Sequence, residues 1–185
     1  MKPGTRALGI AISDGTRTAT VAGAVVRHDR VTDGLAYADC TVGGTDATAA
    51  VCDLRSALGR EDVQYLFTAG VAPAWFNVLD LDAIHDAVGV PVCAVAFEDS
   101  PGLADAIRRE FDGSAAERRL GTYRSLPDRH PVSTDHGRLW VHPVGCSAER
   151  ATELVHAYTP DGQGRPEPLR VARLAARAGR RYRSE

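Results

Sequence analysis

The chain has 185 residues, 44% of them hydrophobic and 25% charged, with a formal net charge of −2. Those values exclude a disordered, one-sidedly charged chain, and they leave no molecule-wide field to draw in nucleic acid or an acidic membrane, so any such contact must be local. No stretch approaches the ~20 apolar residues that span a bilayer, and Met1 to Arg6 carries no apolar secretory segment, so a cytoplasmic protein with no membrane partner is expected.

The first third is strand-like. Arg6 to Ile12, Thr18 to Arg27 and Gly34 to Val42 are rich in β-branched or small apolar residues. The Asp-Gly pairs in Ser13-Asp14-Gly15-Thr16 and Thr32-Asp33-Gly34 separate them, which predicts an antiparallel meander. The period then changes. Ala47, Val51, Leu54 and Leu58 recur at helical spacing across Thr45 to Leu58, and Gly59 follows as a C-cap. Val63 to Ala69 reads as a strand, Val78 to Val88 as a helix ended by Gly89, and Val90 to Phe97 as a buried parallel strand. Beyond Pro101 the pattern predicts helices at Leu103 to Phe111 and Ala115 to Ser125, a loop from Leu126 to Gly137 and a short strand at Arg138 to His142. Two last helices follow, at Ala148 to Tyr158 and Leu169 to Gly179.

A three-strand antiparallel meander followed by helix, strand, helix, strand is the order of the ribonuclease H-like fold. The expected class is therefore an α/β mixed sheet of that kind with C-terminal helices, its first strand central and its fourth parallel beside it. A doubly wound sheet would need a helical crossover between the early strands, and there is no room for one. The expected layout is one domain over 1–185, with 1–99 carrying the sheet core and 100–185 a mainly helical extension.

In such a sheet ligands meet the crevice at the carboxyl ends of the parallel strands, so the stretches after Ile12, Ala69 and Phe97 matter most. Asp14 is the carboxylate nearest the end of the first strand, and a hairpin turn explains it as well as chemistry does. Gly44, Thr45, Asp46 and Thr48 form a glycine-rich opening to a helix, whose free N–H groups suit a phosphate, although an acidic N-cap at Asp46 would compete with an anion. Trp75, Phe76 and Asn77 form the next such loop. Asn77 reads as an N-cap with Asp80 at N3, and the adjacent aromatics suggest a pocket, a stacked base or a homodimer surface. Glu98 and Asp99 follow the last parallel strand, while Ser100-Pro101 reads as the start of a helix.

Other candidates are weaker. His130, His136, His142 and Cys146 match no zinc spacing, and Cys40, Cys52, Cys93 and Cys146 read as buried thiols, so no metal ligand is assigned. Arg170, Arg173, Arg177 and Arg180 make one basic face on the last helix, either solvated or an anion contact.

Ala7-Leu8-Gly9-Ile10, Gly44-Thr45-Asp46-Ala47-Thr48, Phe76-Asn77-Val78-Leu79-Asp80, Pro91-Val92 and Pro166-Glu167-Pro168-Leu169-Arg170 occur in that order along nearly the whole chain. Together they resemble the largely archaeal domain of unknown function 99 family, in its haloarchaeal form. The resemblance implies a ribonuclease H-like fold related to endonuclease V, whose members cut deaminated nucleic acid using carboxylate-bound magnesium. Where the family commonly has Asp at three strand ends, this chain has Ala11, Gly43 and Ala69. The leading expectation is therefore a catalytically degenerate member that binds nucleotide or nucleic acid through the helix starts at Gly44 to Thr48 and Ala74 to Asn77. The alternatives are an active Mg²⁺-dependent nuclease using Asp14, Asp46, Asp80 and Glu98 or Asp99, and a structural homodimer.

Overall fold

The computed structural model describes residues 1–184. Strand β1 (Arg6–Asp14) is central. It pairs antiparallel with β2 (Thr18–Arg27), which pairs antiparallel with β3 (Thr32–Thr41). After α1 (Ala47–Leu58), β4 (Val63–Ala69) returns parallel to β1, and after α2 (Pro73–Phe76) and α3 (Leu81–Val88), β5 (Val92–Ala96) lies parallel to β4. Then come α4 (Ala104–Glu110), α5 (Gly113–Ser125) and a hairpin of β6 (His130–Thr134) and β7 (Gly137–Val144). Helices α6 (Ala148–Tyr158) and α7 (Glu167–Ser184) end the described chain. The sheet order is β3-β2-β1-β4-β5-β7-β6, with β7 antiparallel to β5. This is the expected mixed sheet, extended by two strands from the second half of the chain.

Alternation along the strands assigns the two faces. Leu8, Ile10, Val21, Val25 and Leu66 point to one side and pack with Val51 and Leu54 of α1 and Leu81 and Ile84 of α3. On the other side β4 and β5 offer Phe67, Cys93 and Val95 to Leu154, Val155 and Tyr158 of α6. Next to them β1 and β2 offer mostly small residues. Ala11, Ala22 and Ala24 meet Ala172, Ala175 and Ala176, so α7 lies close against the sheet. The limit of that approach is Gly9, where a Cβ would fall 2.2 Å from the Pro168 carbonyl carbon.

Several local expectations are corrected. Asp33-Gly34 is not a hairpin turn: the pairing shifts register between Val25 and Val26, so Asp33 is the extra residue of a bulge inside β3 and the chain reverses earlier, at His28 to Arg30. Its carboxylate binds Arg6 and Arg60. The stretch predicted as a loop from Leu126 to Gly137 contains β6, an outer strand that tolerates Pro131 and buries one apolar residue, Val132. Ser100 and Pro101 do not start a helix; the Ser100 hydroxyl accepts from the Gly102 N–H in a turn, and α4 begins at Ala104.

Adding one methyl at Gly9 forces α7 off the sheet, because the obstacle is backbone. Gly9→Ala is expected to lower the free energy of urea unfolding by about 2 to 3 kcal/mol. Gly121→Ala, in open space within α5, should instead be neutral or stabilising by up to about 1 kcal/mol.

Candidate functional site

The carboxyl ends of β1, β4 and β5 open into a cleft of about 590 Å³. Its floor is made by two methyl groups: β1 and β4 are in register through Ile10 and Thr68, so Ala11 and Ala69 are the next neighbours along the strands. Asp14, the exposed last residue of β1, and Glu98, just after β5, bring the only acidic side chains that line the cleft among the described residues. The opposite wall is basic. Arg173 and Arg177 come from successive turns of α7, and Arg165 comes from the turn before that helix, its guanidinium 4.0 Å above the Phe97 ring. Among the described residues none of these three arginines forms an ion pair. Burial and the charges of Arg173 and Arg177 push Arg165 below its ordinary value, with Glu98 opposing. The cleft thus holds mutually repelling cations whose repulsion an anion would relieve.

The other sequence candidates are occupied by structural work. The Asp46 carboxylate turns back to accept from the Thr41 N–H at 3.0 Å and the Thr41 hydroxyl at 2.7 Å, and the Asn77 amide donates to it at 2.7 Å. Desolvation works against ionisation there, but the hydrogen bonds from Thr41 and Asn77 prevail and hold Asp46 below the usual carboxylate range. Asn77 is fully buried and is not the cap of the helix that follows it. Its carbonyl oxygen accepts from the Ala47 N–H at the start of α1, and its amide also reaches the Thr41 carbonyl at 2.9 Å. Asp80 is the true N-cap of α3, accepting from the Ala83 N–H, while the Thr48 hydroxyl accepts the Asp80 N–H. Asp99 pairs with Arg129 at 3.1 Å. Of the five candidate carboxylates, only Asp14 and Glu98 therefore reach the cleft.

At the two predicted anion-binding helix starts the loop backbone is also engaged, with the Ala47 N–H taken by Asn77. Gly43 and Gly44 give their carbonyls to the buried guanidinium of Arg119 from α5, which also takes the Phe76 carbonyl and lies 3.8 Å from the Phe111 ring. Ala74, Trp75 and Phe76 all have positive φ, forming one left-handed turn, a conformation costing roughly 1 to 2 kcal/mol per residue. The turn is held by the Gly43 N–H on the Ala74 carbonyl, the Asn77 N–H on the Pro73 carbonyl and Arg119 on Phe76. It explains the aromatic pair: Phe76 packs edge-on to Phe111, while Trp75 is 53% exposed. Thr45 and Thr48 line a separate cavity of about 360 Å³ with Asp80, Arg118 and Arg119.

Magnesium, which the fold family implies, does not suit this donor set. Among the described residues no group of three or more His, Cys, Asp or Glu forms a protein cage for a dication, and the cleft offers the carboxylates of Asp14 and Glu98 alone. The strand-end positions that would supply carboxylates supply Ala11 and Ala69, and three guanidinium groups face the gap. Among the described residues, no helix is long and apolar enough to cross a membrane.

A family model described as Endonuclease dU matches residues 3–179. The chain belongs to the endonuclease dU family. A UPF0215 protein of Pyrobaculum calidifontis is 34% identical over 169 residues, covering 89% of this chain and 90% of its own length. Among solved structures, a protein of unknown function from Archaeoglobus fulgidus superposes with a TM-score of 0.81 at 24% identity, covering 94% and 96% of the two chains. The endonuclease V of Ciona intestinalis, in complex with a 24mer DNA containing an inosine, superposes with a TM-score of 0.61 at 11% identity, covering 96% and 87%. The ribonuclease H-like fold of this endonuclease dU family member is thus shared with endonuclease V, and the archaeal, endonuclease V-like resemblance holds. Arg165 and Arg119 carried no signal in the sequence, since each acts through a contact to a distant segment.

Removing the Asn77 side chain orphans the Ala47 N–H and takes one of the donors from the Thr41 carbonyl and one from the Asp46 carboxylate. Asn77→Ala should cost about 2 to 4 kcal/mol in chemical denaturation. Asp46 adds a pH signature. Its folded value is depressed, so its stabilisation is present above the unfolded carboxylate range and is lost as pH falls through the folded value. Asp46→Asn should therefore be less stable than wild type at pH 7, and the gap should narrow on acidification below roughly pH 4.

Proposed function

We propose that this chain holds a nucleic-acid strand by its phosphates in the cleft at the strand ends, as a member of its fold that has lost the usual cation site. The observation that carries the reading is the convergence of Arg165, Arg173 and Arg177, none with a carboxylate partner among the described residues, over a floor of Ala11 and Ala69. Arginine suits this role because its planar fork of donors grips phosphate oxygens in pairs. The name of the family and the DNA bound to the Ciona endonuclease V support nucleic acid as the ligand class. In this reading the family is the domain of unknown function 99 family in its haloarchaeal form and the protein works in the cytoplasm. The exposed Trp75 is then the aromatic left for a base or a second copy. The role expected of Gly44, Thr45, Thr48 and Asn77 passes to the arginines, because the helix starts are already hydrogen-bonded.

Fluorescence anisotropy with short oligonucleotides, plain or containing deoxyuridine or inosine, tests the proposal. Binding should weaken with salt, and Arg173→Ala and Arg177→Ala should each weaken it and reduce the log–log salt slope by roughly 1. Unchanged binding in the double variant would sink the arginine cleft. Millimolar magnesium should not raise the melting temperature of the free protein. Magnesium-dependent cleavage that disappears in Asp14→Asn or Glu98→Gln would establish the active-nuclease alternative instead.

A further inference from the structure

Two of the four cysteines meet on the face of the sheet covered by α6. Cys93, on β5, is 1% exposed and packs among Phe67, Leu154 and Val155. Cys146 lies between β7 and α6, directly before Ser147, the N-cap of α6, and is half-buried against the same apolar cluster. Strand pairing brings them together. Cys93 stands opposite Pro143 on β7, and beyond Val144 the chain turns through Gly145, whose φ is +73°. That turn is tightly seated, because a Cβ on Gly145 would fall 2.3 Å from the His85 ring. It leaves the Cys146 side chain against the apolar cluster that holds Cys93, with Arg150 and His85 nearby.

The two thiols are unequal. The neighbouring Cys93 thiol lowers Cys146 below the ordinary thiol range, against its burial, and Arg150 and His85 act in the same direction. Cys93 is raised by the neighbouring Cys146 and by burial. A partly exposed, stabilised thiolate beside a second, shielded thiol is the arrangement that reacts with an oxidant and is then resolved internally. Cys40 has no such setting: it is buried in the opposite core and pushed up to about 11, first by burial and then by the charges of Asp46, Asp14 and Asp39.

We propose that Cys146 is an oxidation site and Cys93 its resolving partner, so that a hydroperoxide converts the pair into an intramolecular disulfide joining β5 to the cap of α6. In the first step the Cys146 thiolate attacks the outer oxygen of the peroxide. A sulfur–oxygen bond forms, the oxygen–oxygen bond breaks, and the alkoxide or hydroxide leaves and takes up a proton. The sulfur is oxidised by two electrons to a sulfenic acid and the peroxide is reduced. In the second step Cys93 gives up its proton and its sulfur attacks the Cys146 sulfur. The sulfur–sulfur bond forms, and the hydroxyl leaves with that proton as water.

The experiment is intact mass and peptide mapping of the folded, fully reduced protein after treatment with stoichiometric hydrogen peroxide. The expected product has lost two hydrogens and yields a linked Cys93–Cys146 peptide, reversible by dithiothreitol. Cys146→Ser should show no such loss. Cys93→Ala should stop at a sulfenic acid on Cys146 that dimedone captures. Native alkylation of the untreated wild type, which needs no variant to fold, should modify Cys146 roughly tenfold or more faster than Cys93 at pH 7. Oxygen addition to Cys146 without the link, faster oxidation of Cys52, or alkylation of Cys93 ahead of Cys146 would each overturn the proposal.

Discussion

The contact on which the rest of the molecule depends is the seating of the last helix against the central strand. At Gly9 the β1 backbone and the Pro168 carbonyl approach so closely that no Cβ can stand between them. The alanines of β1 and β2 and those of α7 continue the close approach along the helix. A helix held that near the sheet has its flanking residues at the strand ends. Arg173 and Arg177 reach the cleft because the residues between them and the sheet are small. Polar function here thus rests on an apolar, nearly side-chain-free joint.

A second joint fixes the other edge of the crevice by polar means. Asn77 and Asp46 lock the end of β3 to the start of α1, and Arg119 gathers carbonyls from the glycine turn and from the left-handed turn at Ala74 to Phe76. A strained turn of three left-handed residues persists only where its surroundings over-determine it, and here its peptide groups are held by Gly43, Asn77 and Arg119. The cation of Arg119 is met by carbonyl dipoles and the face of Phe111. This satisfies its donors in a planar fork, but burial still depresses its affinity for the proton.

Four of the five segments that carried the family resemblance are the halves of these two joints. Ala7-Leu8-Gly9-Ile10 meets Pro166-Glu167-Pro168-Leu169-Arg170, and the segment around Asp46 meets the one around Asn77. That is why strand order and topology were legible: alternation in β1 and β2, helical spacing in α1 and the absence of a crossover are local signals. The misreadings were also physical. Asp33-Gly34 looks the same in a turn and in a bulge, and only cross-strand register tells them apart. Asn77 has the residue type of a local cap, but it serves a helix that starts thirty positions earlier in the chain. The cleft was partly legible, since the basic face of α7 could be read while Arg165, placed by its contact with Phe97, could not.

In the proposed reading, Ala11 and Ala69 at the strand ends do more than withhold ligands. In a site built around a cation, acidic side chains hold the metal and the metal in turn neutralises the approaching phosphate, so the protein wall opposite can stay neutral. Without those side chains the phosphate must be met by the protein itself, and the positive charges that line this cleft are on α7 and the turn before it. Three arginines facing two exposed carboxylates give the crevice a positive balance. In the proposed reading, the small side chains of Ala11 and Ala69 therefore leave direct phosphate contact by Arg165, Arg173 and Arg177 electrostatically favourable, because among the described residues lining the cleft only Asp14 and Glu98 oppose them.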